Sequence, residues 1–259
     1  MSGRVVIVTG ASSGIGEATA RAFSRAGDRV VLTARRVDRL QQIARELPES
    51  LVVTADLARP EQIKRVVEET LRCYGQIDVL VNNAGFGEHN WFDRSSEETL
   101  RRQIEVNLIA PILLTKAVLP AMIARRRGTI INVSSVAGRI GTPTLAVYSA
   151  TKFGLDGFSE ALRREVLPLG IHVCVLSPGV VGGTEFGRER RVDLGLTSPP
   201  WLSLTPQRVA EEIVRLADRP RPRRILPGIY WLAVALNTFL PFLVDRSMAR
   251  VVQKARTSS

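Results

Sequence analysis

A tyrosine and a lysine, Tyr148 and Lys152, stand four residues apart at the start of the stretch VYSATKFGLDGFSEAL. Side chains at this spacing lie on one face of an α-helix, so the phenol and the ammonium would be neighbours. A nearby cation favours the phenolate, which makes such a tyrosine able to exchange a proton. The same spacing also fits an ordinary helix in which the tyrosine packs and the lysine covers the surface. The pair therefore needs support from elsewhere in the chain.

A glycine-rich turn follows the first predicted strand, where RVVIVTG continues into TGASSGIG. Glycines at this point allow a sharp turn and let a phosphate approach backbone N–H groups, and the following helix offers its positive N-terminus. A glycine pattern between a strand and a helix is typical of a dinucleotide-binding turn, whereas an ordinary glycine turn does not require that context. The candidate phosphate-binding residues are Gly10, Ser12, Ser13, Gly14, Ile15 and Gly16.

Two arginines end the second predicted strand, VVLTARR. Dinucleotide-binding folds that select NAD place an acidic residue there, which hydrogen-bonds the adenosine ribose. Arg35 and Arg36 would instead pair with a 2′-phosphate through charge-assisted hydrogen bonds. The sequence therefore favours NADP(H) over NAD(H); the alternative is a solvated helix start.

Apolar, β-branched runs alternate with helical patterns along the chain. Nearly continuous runs of this kind are typical of parallel strands that are covered on both faces. We predict an α/β fold, a Rossmann-type doubly wound parallel sheet of about seven strands with helices on both faces. The predicted strands are RVVIVTG, DRVVLTA, LVVTADL, IDVLVNNAG, GTIINVSS, IHVCVLSPG and a last one at RRILPG.

Composition limits the function classes. A chain of 259 residues with 45% apolar and 24% charged residues fits one catalytic domain over residues 1–259. The net charge of +11 comes from arginine clusters without interleaved aromatic residues, so no nucleic-acid partner is expected. Cys73 and Cys174 match no metal or disulfide spacing, and no secretory signal is visible, which predicts a cytoplasmic protein without a metal.

Two regions near the C-terminus differ from the rest. Residues 180–205 are rich in Gly, Pro and charge, and a loop this long predicts a substrate loop or lid, followed by a helix that Thr205 caps. Within the apolar segment 225–254, the twenty residues 225–244 carry no formal charge, but prolines and a glycine interrupt them. A membrane span is disfavoured, which leaves membrane-surface docking, a partner contact or a wall of the substrate site.

Together these motifs resemble the short-chain dehydrogenase/reductase family, in its compact single-domain branch, over roughly residues 4–179. Beyond TGASSGIG and YSATK, the resemblance rests on Asp56-Leu57, NNAG at 82–85, Asn107, Ser135 thirteen residues before Tyr148, and Pro178-Gly179. It implies hydride transfer between the cofactor and a carbonyl, with Tyr148 as acid/base. Lys152 would lower the tyrosine pKa and bind the nicotinamide ribose, Ser135 would hold the substrate oxygen, and Asn107 would position a water linking Lys152 to solvent.

The resemblance also assigns the remaining cofactor contacts. One departure concerns the family's threonine five residues after the proline: Gly183 stands there, and Thr184 follows. The implied contacts, besides the glycine-rich turn, the two arginines, Tyr148 and Lys152, are Asp56, Leu57, Asn83, Ala84, Gly85, Pro178, Gly179, Val181 and Thr184.

The expected function is that of an NADP(H)-dependent oxidoreductase that interconverts a carbonyl and a secondary alcohol. Phe86, the 186–204 loop and the apolar tail favour a lipophilic substrate. The alternatives are a non-catalytic NADPH-binding module that docks on membranes, or an epimerase or dehydratase on the same fold. The resemblance also implies a homodimer or homotetramer, paired through helices at about 96–124 and 148–167, and the tail leaves membrane association open.

Overall fold

A computed structural model describes residues 3–186, 192, 194–195 and 199–257. Its strands form one parallel sheet in the order β3-β2-β1-β4-β5-β6-β7. This confirms the predicted doubly wound sheet. The described strands are β1 Val5–Thr9, β2 Arg29–Thr33, β3 Leu51–Val52, β4 Val79–Asn82, β5 Gly128–Val133, β6 Ile171–Pro178 and β7 Arg223–Leu226.

Helices cover both faces of the sheet. On one face Phe23 and Ile213 pack into a buried cluster, and on the other Ile63, Leu114 and Leu162 do the same. The described α-helices are α1 Gly14–Arg25, α2 Val37–Ala44, α3 Pro60–Tyr74, α4 Glu97–Ile104, α5 Ala110–Ala124, α6 Ala146–Val166, α7 Pro206–Asp218, α8 Tyr230–Phe239 and α9 Pro241–Thr257.

The chain reverses its direction of travel across the sheet at β1, which has β2 on one side and β4 on the other. In open α/β sheets, ligands bind outside the carboxyl ends of the strands at such a reversal. The N-terminus of α1 follows β1 at this point. The topology therefore places the glycine-rich turn at the edge where a dinucleotide would bind.

A single π-helical turn, Glu105–Ile109, joins α4 to α5 and carries the buried Asn107. The π-turn inserts an extra residue into the helix, and such turns are frequent at functional sites. The combined helix Glu97–Ala124 is long and apolar enough to cross a membrane. It lies against the sheet, however, with Leu114, Val118 and Met122 fully buried in the core.

The C-terminal segment differs from its prediction in extent and burial. The expected single apolar helix at about 229–240 is α8, and a second helix, α9, begins at Pro241 and makes an angle of 106° with it. Neither helix has a buried residue. The end of α9 contacts the body of the protein, where Arg256 pairs with Asp93 at 2.9 Å and its guanidinium lies 4.3 Å from the Trp91 ring.

Candidate active site

The ends of β1 and β4 are joined at the carboxyl edge of the sheet by Thr9. Its hydroxyl oxygen accepts hydrogen bonds from the backbone N–H groups of Asn83 and Ala84, at 2.9 and 3.0 Å. The Asn83 side chain donates in turn to the Thr9 carbonyl at 2.9 Å. These bonds hold the NNAG segment beside the glycine-rich turn. Sequence reasoning missed Thr9, although a hydroxyl residue at a strand end is a local signal for such a contact.

The glycine-rich turn depends on the absence of side chains. Gly10 and Gly14 have positive φ angles of 68° and 56°, a region that favours glycine. A Cβ on Gly16 would lie 2.1 Å from the Gly10 carbonyl oxygen, so α1 could not start so close to β1 with any other residue. Ser13 is the N-cap of α1, but its side chain does not cap the helix. The turn therefore offers backbone N–H groups and two serine hydroxyls to a phosphate.

Tyr148 and Lys152 lie in the first turns of α6, and both are buried, at 8% and 4% exposed. The Lys152 Nζ atom lies 5.6 Å from the centre of the Tyr148 ring. Ser135, in the loop after β5, makes a hydrogen bond with the Tyr148 side chain and accepts one from the Ala137 N–H at 3.1 Å. The structure therefore brings the predicted tyrosine, lysine and serine together.

Asn107 faces the same site from the π-turn. Its side chain donates to the Phe86 carbonyl at 2.8 Å and accepts from the Phe86 N–H at 3.0 Å. A Cβ on Gly85 would lie 3.1 Å from the Asn107 Oδ1 atom and 3.5 Å from Lys152 Nζ. Glycine at 85 therefore keeps open the narrow space between the amide and the ammonium. Asn107 fixes the backbone that borders this space.

Burial shifts the pKa values of both members of the pair. Burial raises the pKa of Tyr148 to about 12, and the hydrogen bond with Ser135 offsets only part of that rise. Burial also lowers the pKa of Lys152 to about 8, although the Asp156 carboxylate opposes this change. Lys152 donates to the Val133 carbonyl at 2.9 Å rather than to the phenol. In this arrangement burial has the largest effect on the tyrosine pKa.

Arg36 forms an anion-binding cradle with Ser12 and Ser13. Its guanidinium donates to the Ser12 hydroxyl at 3.0 Å and to the Ser13 hydroxyl at 2.8 Å. It also pairs with the Glu185 carboxylate, with nitrogen–oxygen distances of 2.8 and 2.9 Å. Arg35 is exposed and acts at longer range, favouring the ionised form of Asp56. Of the two predicted arginines, Arg36 is the one that contacts the glycine-rich turn.

Asp56 and Leu57 follow β3, at the predicted adenine side. Burial raises the pKa of Asp56, but the Ala58 N–H and Arg102 hydrogen bonds outweigh it, so the pKa lies below its usual value. Arg102 donates to this carboxylate at 3.0 Å. Leu57 is buried, 7% exposed. Asp56 is thus an ionised hydrogen-bond acceptor that is already engaged with a side chain of α4.

The segment after β6 borders the carboxyl edge of the sheet between the glycine-rich turn and Tyr148, a region called the groove below. A Cβ on Gly179 would lie 2.2 Å from the Tyr230 ring, so α8 packs directly on the Pro178-Gly179 bend. Val181 forms a short bridge with Leu204. Thr184 contacts the glycine-rich turn, because a Cβ on Gly14 would lie 3.3 Å from its methyl carbon. Thr205 caps α7 by accepting from the Arg208 N–H at 3.2 Å, as predicted.

Phe186 covers Tyr148, a contact that sequence reasoning missed. The two ring centres are 5.1 Å apart, and a Cβ on Gly87 would lie 2.9 Å from the Phe186 ring. Of the predicted substrate loop, residues 187–191, 193 and 196–198 lie outside the described residues. Within the described ranges, no group of three or more His, Cys, Asp or Glu side chains has a metal-binding arrangement.

Comparisons with known proteins identify the family of the chain. A family model described as "short chain dehydrogenase" matches residues 4–194. A curated relative, "Dehydrogenase/reductase SDR family member 7B" from Bos taurus, is 36% identical over 272 aligned positions. The alignment covers 98% of this chain and 83% of the relative.

Solved structures give the same result. A short-chain dehydrogenase from Streptomyces avermitilis is 32% identical with a TM-score of 0.79, over 99% of this chain and 98% of that one. A metagenomic short-chain oxidoreductase in complex with NADP is 34% identical with a TM-score of 0.75, over 87% of this chain and 97% of that one. With a family model matching most of its length, this chain belongs to the short-chain dehydrogenase/reductase family of oxidoreductases.

Proposed function

We propose that the protein is an NADP(H)-dependent oxidoreductase that interconverts a carbonyl and a secondary alcohol. Its substrate is lipophilic and binds in the groove beside Phe186. The observation that carries the proposal is the convergence of Tyr148, Ser135 and Lys152 at the carboxyl edge of the sheet, beside the glycine-rich turn. The positive φ angles at Gly10 and Gly14 and the close approach at Gly16 fit a dinucleotide phosphate. NADPH, when bound, supplies a hydride to the carbonyl carbon.

Tyr148 supplies the proton in this mechanism. Hydride addition leaves a negative oxygen, and the phenol donates its proton to that oxygen as a general acid. With a pKa of about 12 the phenol holds its proton at neutral pH, which suits reduction. Ser135 hydrogen-bonds the same substrate oxygen and stabilises the charge that develops on it. In the oxidation direction, Tyr148 must first lose its proton, and positive charge near it is then required.

Lys152 and Asn107 return a proton to Tyr148 after the phenol has donated its own. An ammonium with a pKa of about 8 releases its proton readily near neutral pH, and Lys152 lies on the same helix face as Tyr148. The space that Gly85 leaves between Lys152 and Asn107 fits a bridging water, since Asn107 Oδ1 accepts one backbone hydrogen bond and can accept another. The chain thus offers a route from the phenol toward solvent.

The cofactor preference rests on the cradle of Arg36, Ser12 and Ser13. Arg36 and Ser13 already hold a carboxylate through hydrogen bonds of 2.8 to 2.9 Å, and the Ser12 hydroxyl accepts from Arg36 beside them. A 2′-phosphate offers more oxygens and more negative charge to the same donors. An NADP-bound solved structure among the relatives supports the same choice.

Arg36→Ala is expected to lower kcat/KM with NADPH about 10- to 100-fold, since charge-assisted hydrogen bonds each contribute about 1.5–3 kcal/mol. The value with NADH should stay within about twofold, because NADH has no 2′-phosphate. Steady-state kinetics with both cofactors tests this. Arg35→Ala is the matched control and should have the smaller effect, because Arg35 lies outside the cradle. Equal losses with both cofactors would contradict the assignment.

The reaction class is tested with a panel of small polar and long-chain ketones and alcohols, following NADPH consumption and NADP⁺ reduction. We expect turnover, with long-chain substrates preferred. NADPH binding without turnover of any compound would favour the non-catalytic alternative. Deleting residues after Ile229 should weaken the long-chain preference, because α8 packs on Gly179 at the groove.

A lipid surface is the proposed partner of the C-terminal helices. Their apolar side chains are exposed around the bend, with Leu232 at 71%, Phe239 at 79% and Phe242 at 62%. Arg246 and Arg250 follow on α9. Exposed aromatic and apolar groups next to basic ones are typical of segments that lie in an anionic membrane interface. Such docking would also place the groove near lipophilic substrates.

The double substitution Leu232→Asp/Phe239→Asp is expected to reduce binding to vesicles at least tenfold, because each buried apolar side chain contributes about 1.5–3 kcal/mol. Vesicle binding is measured by co-sedimentation at about 0.1 M and 0.5 M salt. The vesicles contain 70% phosphatidylcholine and 30% phosphatidylserine. Leu167→Asp, at a residue 52% exposed elsewhere, is the control and should bind as the unmodified protein does. Equal sedimentation of all three proteins would contradict membrane docking.

A further inference from the structure

Three consecutive residues, 184–186, cross the groove at the carboxyl edge of the sheet; we call them the crossing segment. Thr184 contacts Gly14 of the glycine-rich turn, and Phe186 lies on Tyr148. Between them, Glu185 reaches the Arg36 cradle. The segment therefore contacts the phosphate-binding turn, the arginine cradle and the candidate acid at the same time. A dinucleotide that uses all three regions would have to share this space with it.

Glu185 occupies the cradle in the manner of a bound anion. Its carboxylate accepts from both terminal nitrogens of Arg36, at 2.8 and 2.9 Å, and from the Ser13 hydroxyl at 2.9 Å. The serine that should cap α1 thus points to this carboxylate instead. The same three donor atoms are those that a 2′-phosphate would need.

We propose that Glu185 is an internal competitor for the 2′-phosphate of the cofactor, so that NADP(H) binds only when the crossing segment releases Arg36. This inference rests on the proposed NADP(H) preference and adds a residue that sets its strength. One carboxylate carries less charge and fewer acceptor oxygens than a phosphate, so the phosphate wins the exchange.

The exchange also links the two ends of the groove. Glu185 and Phe186 are adjacent, so release of the carboxylate from Arg36 frees the backbone that holds the ring on Tyr148. An NAD(H) molecule, which has no such phosphate, would not displace Glu185.

The test compares the binding of 2′-AMP and 5′-AMP by calorimetry. Glu185→Gln should tighten 2′-AMP about three- to sixfold, because both partners are nearly half exposed and such ion pairs contribute at most about 1 kcal/mol. Binding of 5′-AMP should change less than twofold, because its phosphate meets the backbone of the glycine-rich turn. Glu211→Gln, which removes a similarly exposed ion pair with Arg208 on α7, is the matched control and should change neither.

A second variant separates competition from simple covering of the groove. In an Arg36→Ala background, Glu185→Gln should change 2′-AMP affinity less than twofold, because two of the three shared donor atoms are gone and only the Ser13 hydroxyl remains. An unchanged 2′-AMP affinity in Glu185→Gln alone, or an equal gain for both nucleotides, would overturn the proposal. Failure of the NADP(H) preference has a different signature, namely a single Arg36→Ala substitution that does not weaken 2′-AMP.

Discussion

Tyr148→Phe is expected to lower kcat for ketone reduction with NADPH by about 10²- to 10⁴-fold, the range that a positioned general acid contributes. The substitution removes only the hydroxyl, and the ring keeps its packing against Phe186 at 5.1 Å between centres. Substrate and cofactor should still bind, so the loss should appear in kcat rather than in KM. Single-turnover absorbance at 340 nm measures it directly.

The control for this prediction is Tyr74→Phe at the C-terminal end of α3, which removes a hydroxyl that donates to the Glu49 carbonyl at 2.8 Å. That variant should keep its turnover within about twofold. NADPH binding measured by calorimetry should be the same in both variants, which shows that the groove is intact. Retention of more than a tenth of the turnover in Tyr148→Phe would mean that another group supplies the proton.

Local patterns were enough to predict most of the scaffold and that Tyr148, Lys152 and Ser135 lie together. Continuous β-branched runs predict buried parallel strands because both faces of each strand are covered, as for β1, which is buried along its length. The Thr205 cap was also predicted, because a capping serine or threonine acts within three residues of itself. The third strand is only Leu51–Val52, shorter than its apolar run, although the Val53 and Ala55 N–H groups still donate to the Leu32 and Ala34 carbonyls beyond it.

Contacts between distant parts of the chain were not predictable in the same way. Glu185 meets Arg36 across 149 positions of sequence, and its loop has no periodicity that would indicate where it lies. The pKa values of Tyr148 and Lys152 were not predictable either, because burial rather than neighbouring charge has the largest effect on both. Helix spacing shows which side chains are neighbours, but it does not show how far they are buried from water.

The same burial leads to the second large effect: Lys152→Met is expected to make the protein more stable at pH 7 while lowering its turnover about 10²-fold or more. The folded-state pKa of about 8 lies below the ordinary value of 10.5. At 1.36 kcal/mol per pKa unit, holding the buried ammonium costs on the order of 3 kcal/mol. Methionine has a similar length and no charge, but it leaves the Val133 carbonyl without its donor. The net gain in unfolding free energy should therefore be about 1–2 kcal/mol.

The pH dependence identifies the cause of this gain. Below pH 8 both states bind the lysine proton and the cost is fully present; between about 8 and 10.5 the unfolded state binds more protons, so stability rises with pH. The advantage of Lys152→Met should thus shrink from pH 7 to pH 9.5 in urea titrations. Lys116→Met, at an exposed position on α5, should show no such trend. A difference in unfolding free energy that does not depend on pH would contradict this explanation. The gain would then come from packing and not from removal of the buried charge.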